Sequence, residues 1–479
     1  MKSIFTKITI CFFSILFLLS CEKDFLEEPR PTDVVTSDVI FGSRTGAEAF
    51  ISGILRRMRR QYSSHDSAGV NSIYYARVVK GNDIIQGPTW FRFDYANDNR
   101  EPIYRRVTFT WGFCYSVINQ INALISGLEE SVDISDADKA ELVAQGRALR
   151  AFFYFQLAME FTVAYTEDST AEAPPIYEEV SLDGEGKPMS TLQEMYDLIL
   201  EDLNFAVANL TDYRLGKSYV NQSVAYGILA RVQQTMGNWA EAENAARNAY
   251  GGDPLAVLNA AGYTDGFSDL SNPEWMWGSP QNDDQSNYYA GAPHAHADHF
   301  VLSYAGTFFN NDFVAEFSAT DVRNMFQEYY AVDDTDYRNW ITSKFTFGFD
   351  SDHPIMRVPE MILIEAEALY WQGDENGAHA LLFQLQSDRD PNAVISANTG
   401  EDLLNEMLLE RRKELYAELG VEWFDAKRLR RGITRTGNHL IMSEADLMPD
   451  DKKFYLKIPQ AEIDANPFID ESVNAYRDN

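Results

Sequence analysis

Apolar residues recur at helical spacing in several long stretches of this chain. The clearest reads SVAYGILARVQQTMGNWAEAENAARNAYGGDP, at 223–254. Positions 224–236 have helix composition and stop at Gly237, a residue that closes helices in the left-handed conformation. Asn238 is then placed to cap a second helix. Glu241, three positions on, is placed to reach back to the cap amide. Ala242, Ala245, Ala246 and Ala249 lie near one face, so two antiparallel helices can approach closely, with Trp239 as the large apolar plug. The pattern returns at 361–391, MILIEAEALYWQGDENGAHALLFQLQSDRDP. Here Gly373 and Asp374 stand for Gly237 and Asn238, Ala378 for Ala242 and Leu385 for Ala249. Both units follow the tetratricopeptide pattern, and such a hairpin buries its apolar face only when others stack on it.

Further helical patterns cover 47–62, 103–128, 138–165, 192–210 and 403–418, with a short unit at 422–430. Residues 63–100 read as irregular. From 251 to 356 the helical rhythm breaks, and Gly, Asn, Asp and aromatic residues accumulate around a few strand-like runs. The predicted fold class is therefore mostly α. A tetratricopeptide-like scaffold of helical hairpins (45–250 and 357–430) would carry a large, irregular, loop-rich insertion (251–356), all within one domain, 45–479. Insertions in helical arrays emerge on one face, so the insertion is the expected ligand face.

Charge and the N-terminus narrow the function. The formal net charge of −33 argues against a phosphate-tracking nucleic-acid surface and against adhesion to anionic lipid. Apolar content of 45% supports a sizeable core. Lys2 and Lys7 precede an apolar run, 8–19, too short to span a bilayer. Leu18-Leu19-Ser20-Cys21 resembles the bacterial lipobox. Residues 1–20 then form a lipoprotein signal peptide, Cys21 carries the acyl chains (palmitate among them), and 21–44 form a lipid-anchored tether. Glu22-Lys23-Asp24 resembles a short surface-export signal. Cys11 leaves with the signal, which strands Cys114 without an internal disulfide partner.

Candidate chemistry is sparse. His294-Ala295-His296-Ala297-Asp298-His299 spells HxHxDH, the signature of metallo-β-lactamase-type zinc sites. That fold alternates strands with helices and needs further ligands downstream, whereas only His353, His379 and His439 follow. A solvated histidine-rich loop is the preferred reading, and no catalytic residue, metal or cofactor is assigned. Asp333, Asp334 and Asp336 lack a calcium-loop pattern and read as turn residues. Glu410-Arg411-Arg412-Lys413-Glu414 reads as a solvated or bridging helix face with i,i+4 pairing. Residues 422–428 are expected to lock the C-terminal helices to the scaffold.

For ligand binding, exposed aromatics in irregular segments are favoured, because sugar rings stack their C–H faces on them. Trp90, Phe91, Phe93 and Tyr95 are the first candidates, with Asn82, Asp83 and Asn97 as polar partners. Tyr288 and Tyr289, beside Asn287, come second. Trp275 and Trp277 alternate as in a half-buried strand, with at least one expected in the core and Trp277 kept as a candidate. For any one ring the alternative is a hydrophobic cluster under a long loop.

With these pieces in place the chain resembles the SusD/RagB family of outer-membrane nutrient-binding lipoproteins. The carrying residues are the lipobox at Cys21, GRALRAFFYF (146–155), LILEDLNFAVANL (198–210), the hairpin at 226–250 and the Arg357-Val358-Pro359-Glu360 entry to the second hairpin. LLERRKELYAELGVEWFDAKRL (408–429) and IPQAEIDANPFI (458–469) are the most specific. The resemblance implies a cell-surface lipoprotein in the outer membrane that sits as a lid on a SusC-like TonB-dependent transporter barrel. It implies capture of an oligosaccharide, or in some branches a peptide, with no chemistry of its own. The competing readings are a zinc-dependent hydrolase built on His294, His296, Asp298 and His299, and a tetratricopeptide scaffold that binds proteins alone. The acidic chain disfavours a highly anionic glycan unless Arg92, Arg100, Arg105 and Arg106 gather locally.

Overall fold

A computed structural model describes residues 37–59, 64–180, 185–281, 306–330, 333–348 and 350–478. Cys21, Asn287, Tyr288, Tyr289 and the histidine cluster at 294–299 lie outside these described residues.

After a single helical turn at Ser37–Ile40, the first long helix, α1 (Arg44–Met58), starts at Ser43, whose hydroxyl accepts from the Gly46 amide. Residues 63–100, expected to be irregular, hold a second helix, α2 (Gly69–Val78), and a strand, β1 (Ile84–Gln86). Every residue of α2 is buried. A helix packed on all sides has no polar stripe, so its period is invisible in the sequence. Then come α3 (Arg105–Glu130) and α4 (Asp136–Phe161). From Leu142 onward every residue of α4 but Arg147 is buried, and Arg150 pairs through Nε with Asp202 at 2.7 Å. Asp202 belongs to α5 (Leu192–Asn209), which opens with a reciprocal Thr191–Glu194 capping box.

Both predicted hairpins form. The first joins α6 (Gln222–Met236) to α7 (Trp239–Tyr250). The second joins α8 (Val358–Trp371) to α9 (Glu375–Arg389). Gly237 and Gly373 turn at φ 76° and 86°. Asp374 caps α9 by accepting from the Gly377 amide. Asn238 does not cap α7 as expected; its amide instead donates to Gln233 Oε1 at 2.8 Å. Ala242, Ala245, Ala246, Ala249, Ala378 and Leu385 are all buried. The hairpins stack, with α7 against α8. Trp239 is no internal plug, for it stacks on Trp371 of the other hairpin, centroids 5.4 Å apart and planes 14° apart. Tyr250 and Arg247 of α7 both reach Glu365 of α8. Gly237→Ala leaves space for the added methyl, whose nearest neighbour is 3.9 Å away, so its cost comes from the positive φ. We expect a loss of about 1 kcal/mol, read as a lower urea midpoint at unchanged slope.

The insertion carries β2 (Trp275–Ser279), β3 (Thr307–Phe309), β4 (Phe326–Glu328), β5 (Trp340–Thr342) and β6 (His353–Arg357). β2 and β6 pair antiparallel at the entry to α8. The other three join β1 in a four-stranded antiparallel sheet of order β1-β3-β5-β4. The ligand face predicted for 251–356 therefore borrows a strand from the N-terminal part of the chain.

Two further helices, α10 (Glu401–Leu415) and α11 (Val421–Arg428), close the scaffold, and a short helix, α12 (Gln460–Ala465), lies near the C-terminus. The charged run on α10 is the bridging face that the sequence allowed, but it is neither solvated nor paired at i,i+4 as expected. Glu410, Arg411 and Glu414 are buried, and their partners lie on other elements rather than at i,i+4. Arg389 and Arg357 meet Glu414 at 3.0 and 2.9 Å. Arg323 of the insertion reaches Glu410 at 2.5 Å and Glu414 at 3.2 Å. Arg357 and Lys344 share Glu418, and Arg389 also holds Glu274. Residues 422–428 do lock the C-terminal helices: Arg428 binds Glu367 of α8 at 2.6 Å, and Lys427 donates to the Thr162 carbonyl.

Candidate ligand-binding face

Along β1 and β3 the side chains alternate across the sheet. On the inner face Tyr75 of α2 bonds to Gln86 and Thr307, while Phe309 packs edge-on against Tyr416. Phe308 must then point outward. It is covered by Tyr329, 5.8 Å away, and by Tyr337, 5.6 Å away at 89°. Above these, the Arg338 guanidinium lies 4.0 Å from the Tyr330 ring and 5.5 Å from that of Tyr337, held by a 2.8 Å pair with Asp336. Tyr329 and Tyr330 are 41% and 44% exposed. The result is a tyrosine platform with one fixed guanidinium, able to stack a ring and donate hydrogen bonds at its edge.

The loop after β1 borders this platform. The Gly87 amide donates to the Gly306 carbonyl at 3.0 Å, and an added Cβ on Gly87 would lie 3.9 Å from the Phe308 ring. Trp90, three residues on, is half-buried against the same hydrophobic cluster. The motif Trp90-Phe91-Arg92-Phe93-Asp94-Tyr95 is not a displayed run, because 92–95 form one helical turn. That turn sends Phe91, Asp94 and Tyr95 inward and leaves Arg92 and Phe93 outside, Phe93 being 59% exposed. Phe91 and Tyr95 are fully buried and cannot meet a ligand.

The other candidates divide in the same way. Asp83 is buried and receives Nε of Arg412 at 3.0 Å. Asn97 is buried, with its amide on the Ala445 carbonyl. Asn82 is engaged by the Thr436 amide and by Asn310. These three polar residues hold the loops rather than face a ligand. Trp277 is core: it is fully buried, donates to the Ser218 carbonyl and packs edge-on against Phe152. Trp275 is buried as well. Of the four arginines, Arg105 pairs with Asp66, Arg106 with Asp94, and Arg100 donates to the Tyr455 and Arg477 carbonyls. They do not gather. Asp333 and Asp336 cap turns through Thr335 and Arg338, as their spacing suggested. Among the described residues, no three His, Cys, Asp or Glu side chains are grouped to share a metal.

Sequence reasoning missed Phe308, Tyr329, Tyr330, Tyr337 and Arg338. A signal was present: Phe326-Gln327-Glu328-Tyr329-Tyr330 and Trp340-Ile341-Thr342 flank the Asp333–Asp336 turn residues as a hairpin would.

Under this face sits His439. Its Nε2 lies 2.9 Å from the Asn82 carbonyl and must donate, so Nδ1 accepts from the Tyr95 hydroxyl at 2.8 Å. The ring is neutral. Burial, and after it the Arg435 guanidinium, push its pKa down to about 4. An unfolded histidine takes its proton near pH 6.5. Stability present above that pH is therefore lost as pH falls towards 4. We expect His439→Gln to flatten this part of the curve. Denaturation midpoints at pH 7 and pH 5 should drop less in the variant than in the parent; equal drops would remove His439 from the account.

Comparison with known proteins agrees with this architecture. A profile described as starch-binding, associating with the outer membrane, matches residues 24–233, and the SusD family profile matches 337–475. The chain belongs to the SusD/RagB family. The two matched segments leave 234–336 between them, which includes most of the insertion. A SusD-like carbohydrate-binding protein of Bacteroides vulgatus shares the fold with a TM-score of 0.80 at 25% identity, over 90% of this chain and 98% of that one. Surface glycan-binding protein A of Bacteroides thetaiotaomicron, solved with laminarihexaose, superposes with a TM-score of 0.69 at 15% identity, over 88% of this chain and 98% of its own. A SusD-like protein of Bacteroides ovatus is 22% identical over 237 residues, 49% of this chain and 40% of that relative. The mostly helical, tetratricopeptide-like scaffold is thus shared with SusD structures. No helix among the described residues is long and apolar enough to cross a membrane.

Proposed function

We propose that this chain is a cell-surface glycan-binding lipoprotein, anchored in the outer membrane through acylated Cys21. It captures an oligosaccharide and delivers it to a SusC-like TonB-dependent transporter without altering it. The observation that carries this reading is the tyrosine platform on the four-stranded sheet, with Trp90 packed on the same hydrophobic cluster. Rings held by packing and exposed on one side suit the C–H faces of a sugar chain. Of the similar structures, one is a SusD-like carbohydrate-binding protein and another a surface glycan-binding protein in complex with laminarihexaose. A neutral glycan is favoured, since Arg338 beside the platform is already paired with Asp336 and the chain is strongly acidic.

Isothermal titration of the soluble chain starting after Cys21, against neutral glucans including laminarihexaose and against peptides, tests this. Saturable binding of one glycan class with no shorter products supports capture. Released products would make the protein a hydrolase, and binding of peptide alone would move it to the peptide-binding branch. Affinity purification from native outer membrane tests delivery: recovery without a transporter barrel would count against it.

A further inference from the structure

A cavity of about 360 Å³ opens on the helical scaffold, away from the sheet, between α3, Tyr177, Glu185 and Gly186, and α12 with Asn466. It is an order of magnitude larger than the roughly 30 Å³ share of one water and lies in the range of small-ligand sites. Three rings wall it. Trp111 and Tyr115 have centroids 4.9 Å apart at 56°, and Tyr115 meets Tyr177 edge-on at 5.6 Å. A guest ring would meet aromatic surface on several sides.

The hydrogen-bond inventory decides what kind of guest. Trp111 Nε1 donates to Glu462 Oε2 at 3.1 Å, the Tyr115 hydroxyl donates to the Pro175 carbonyl at 2.6 Å, and Asn466 Nδ2 donates to Glu462 Oε1 and to the Lys187 carbonyl. These donors are spent inside the protein. The cavity is lined by these rings, by Ile118 and Asn119, and by the Glu462 carboxylate, and Glu185 stands exposed at the rim. Burial and then the Glu462 charge push the Tyr177 phenol up. The chain's own Lys187 ammonium already lies 5.4 Å from the Tyr177 centroid, so that ring has the field a cation needs.

We propose that this cavity binds a small ligand bearing a primary ammonium, either an amino sugar or the end of a lysine side chain. The idea is independent of the glycan site on the sheet. The probes are glucosamine, Nα-acetyl-lysine methyl amide and, as the uncharged control, glucose. At least one ammonium probe should bind at a single site about tenfold or more tighter than glucose. The stronger of the two identifies the source as sugar or peptide. Gly112 lies on the exposed side of α3 at the cavity wall, and a Cβ there meets nothing within 4 Å. Gly112→Leu should therefore add a side chain at the cavity wall without a clash at its Cβ and weaken binding. Glu462→Gln, which can still accept from Trp111, should weaken it at least tenfold. Both variants should keep the parent's glycan affinity at the tyrosine platform, so failure here is separable from failure of the capture reading. The proposal is overturned if neither ammonium probe binds, if glucose binds as well as they do, or if folded Gly112→Leu binds unchanged.

Discussion

Glu414→Ala is expected to cost the fold about 3–5 kcal/mol, measured as a shift of the denaturant midpoint. The carboxylate is fully buried and accepts from Arg357, Arg389 and Arg323. Removing it leaves three buried guanidiniums short of an acceptor and of a compensating charge. Burial alone would push the Glu414 pKa up. Arg389, Arg357 and Arg323 outweigh that and hold it well below the usual carboxylate range. The sign follows: the stabilisation is present above the unfolded value near 4.3 and is lost only as pH falls through the lower folded value. Glu414 itself should thus add no pH dependence around neutrality, in contrast to His439. Glu414→Gln, which keeps the acceptor and removes the charge, should fall between parent and alanine variant. A loss under about 1 kcal/mol for Glu414→Ala would mean that the network contributes nothing net to stability.

The second large effect concerns binding. Replacing Tyr329 and Tyr330 together by alanine should lower affinity for a cognate glycan by about 100-fold or more. Each stacked ring contributes about 0.5–1.5 kcal/mol beyond the area it buries, and both rings also lose that area. The control is Trp277→Phe. It trims a fully buried ring in the helical core, so it should lower stability and leave affinity unchanged. Titration of both variants against the same glycan separates the cases. Unchanged affinity in the tyrosine pair would move the binding face elsewhere.

The hairpins were legible in the sequence because their signals are local: a glycine at a positive φ, an acidic cap and small residues at helical spacing. Helix α2 was hidden for the opposite reason, since burial on every side erases periodicity. The aromatic candidates show where local reading stops. Phe91, Phe93 and Tyr95 share one motif, yet a single helical turn sends two inward and one outward, and their fate depends on Tyr75, Arg435 and His439 far along the chain. The run at 410–414 misleads similarly. Charged residues usually mean solvent, and nothing nearby announces that Arg323, Arg357 and Arg389 will converge on them. The β4–β5 hairpin left a signal beside the Asp333–Asp336 turn, but the display of its tyrosines also depends on pairing with β3, which only the folded sheet reveals.

The ion-pair network has a consequence for how binding preference can change. The segment 324–343 holds β4, β5 and the platform tyrosines, and it is flanked by Arg323 and Lys344. Both flanking residues are buried and tied to the scaffold, Arg323 to Glu410 and Lys344 to Glu418. On the proposed reading of the tyrosine face, the segment is clasped at each end by buried charges, so its exposed rings can change by mutation while the clasps stay seated on the same helices.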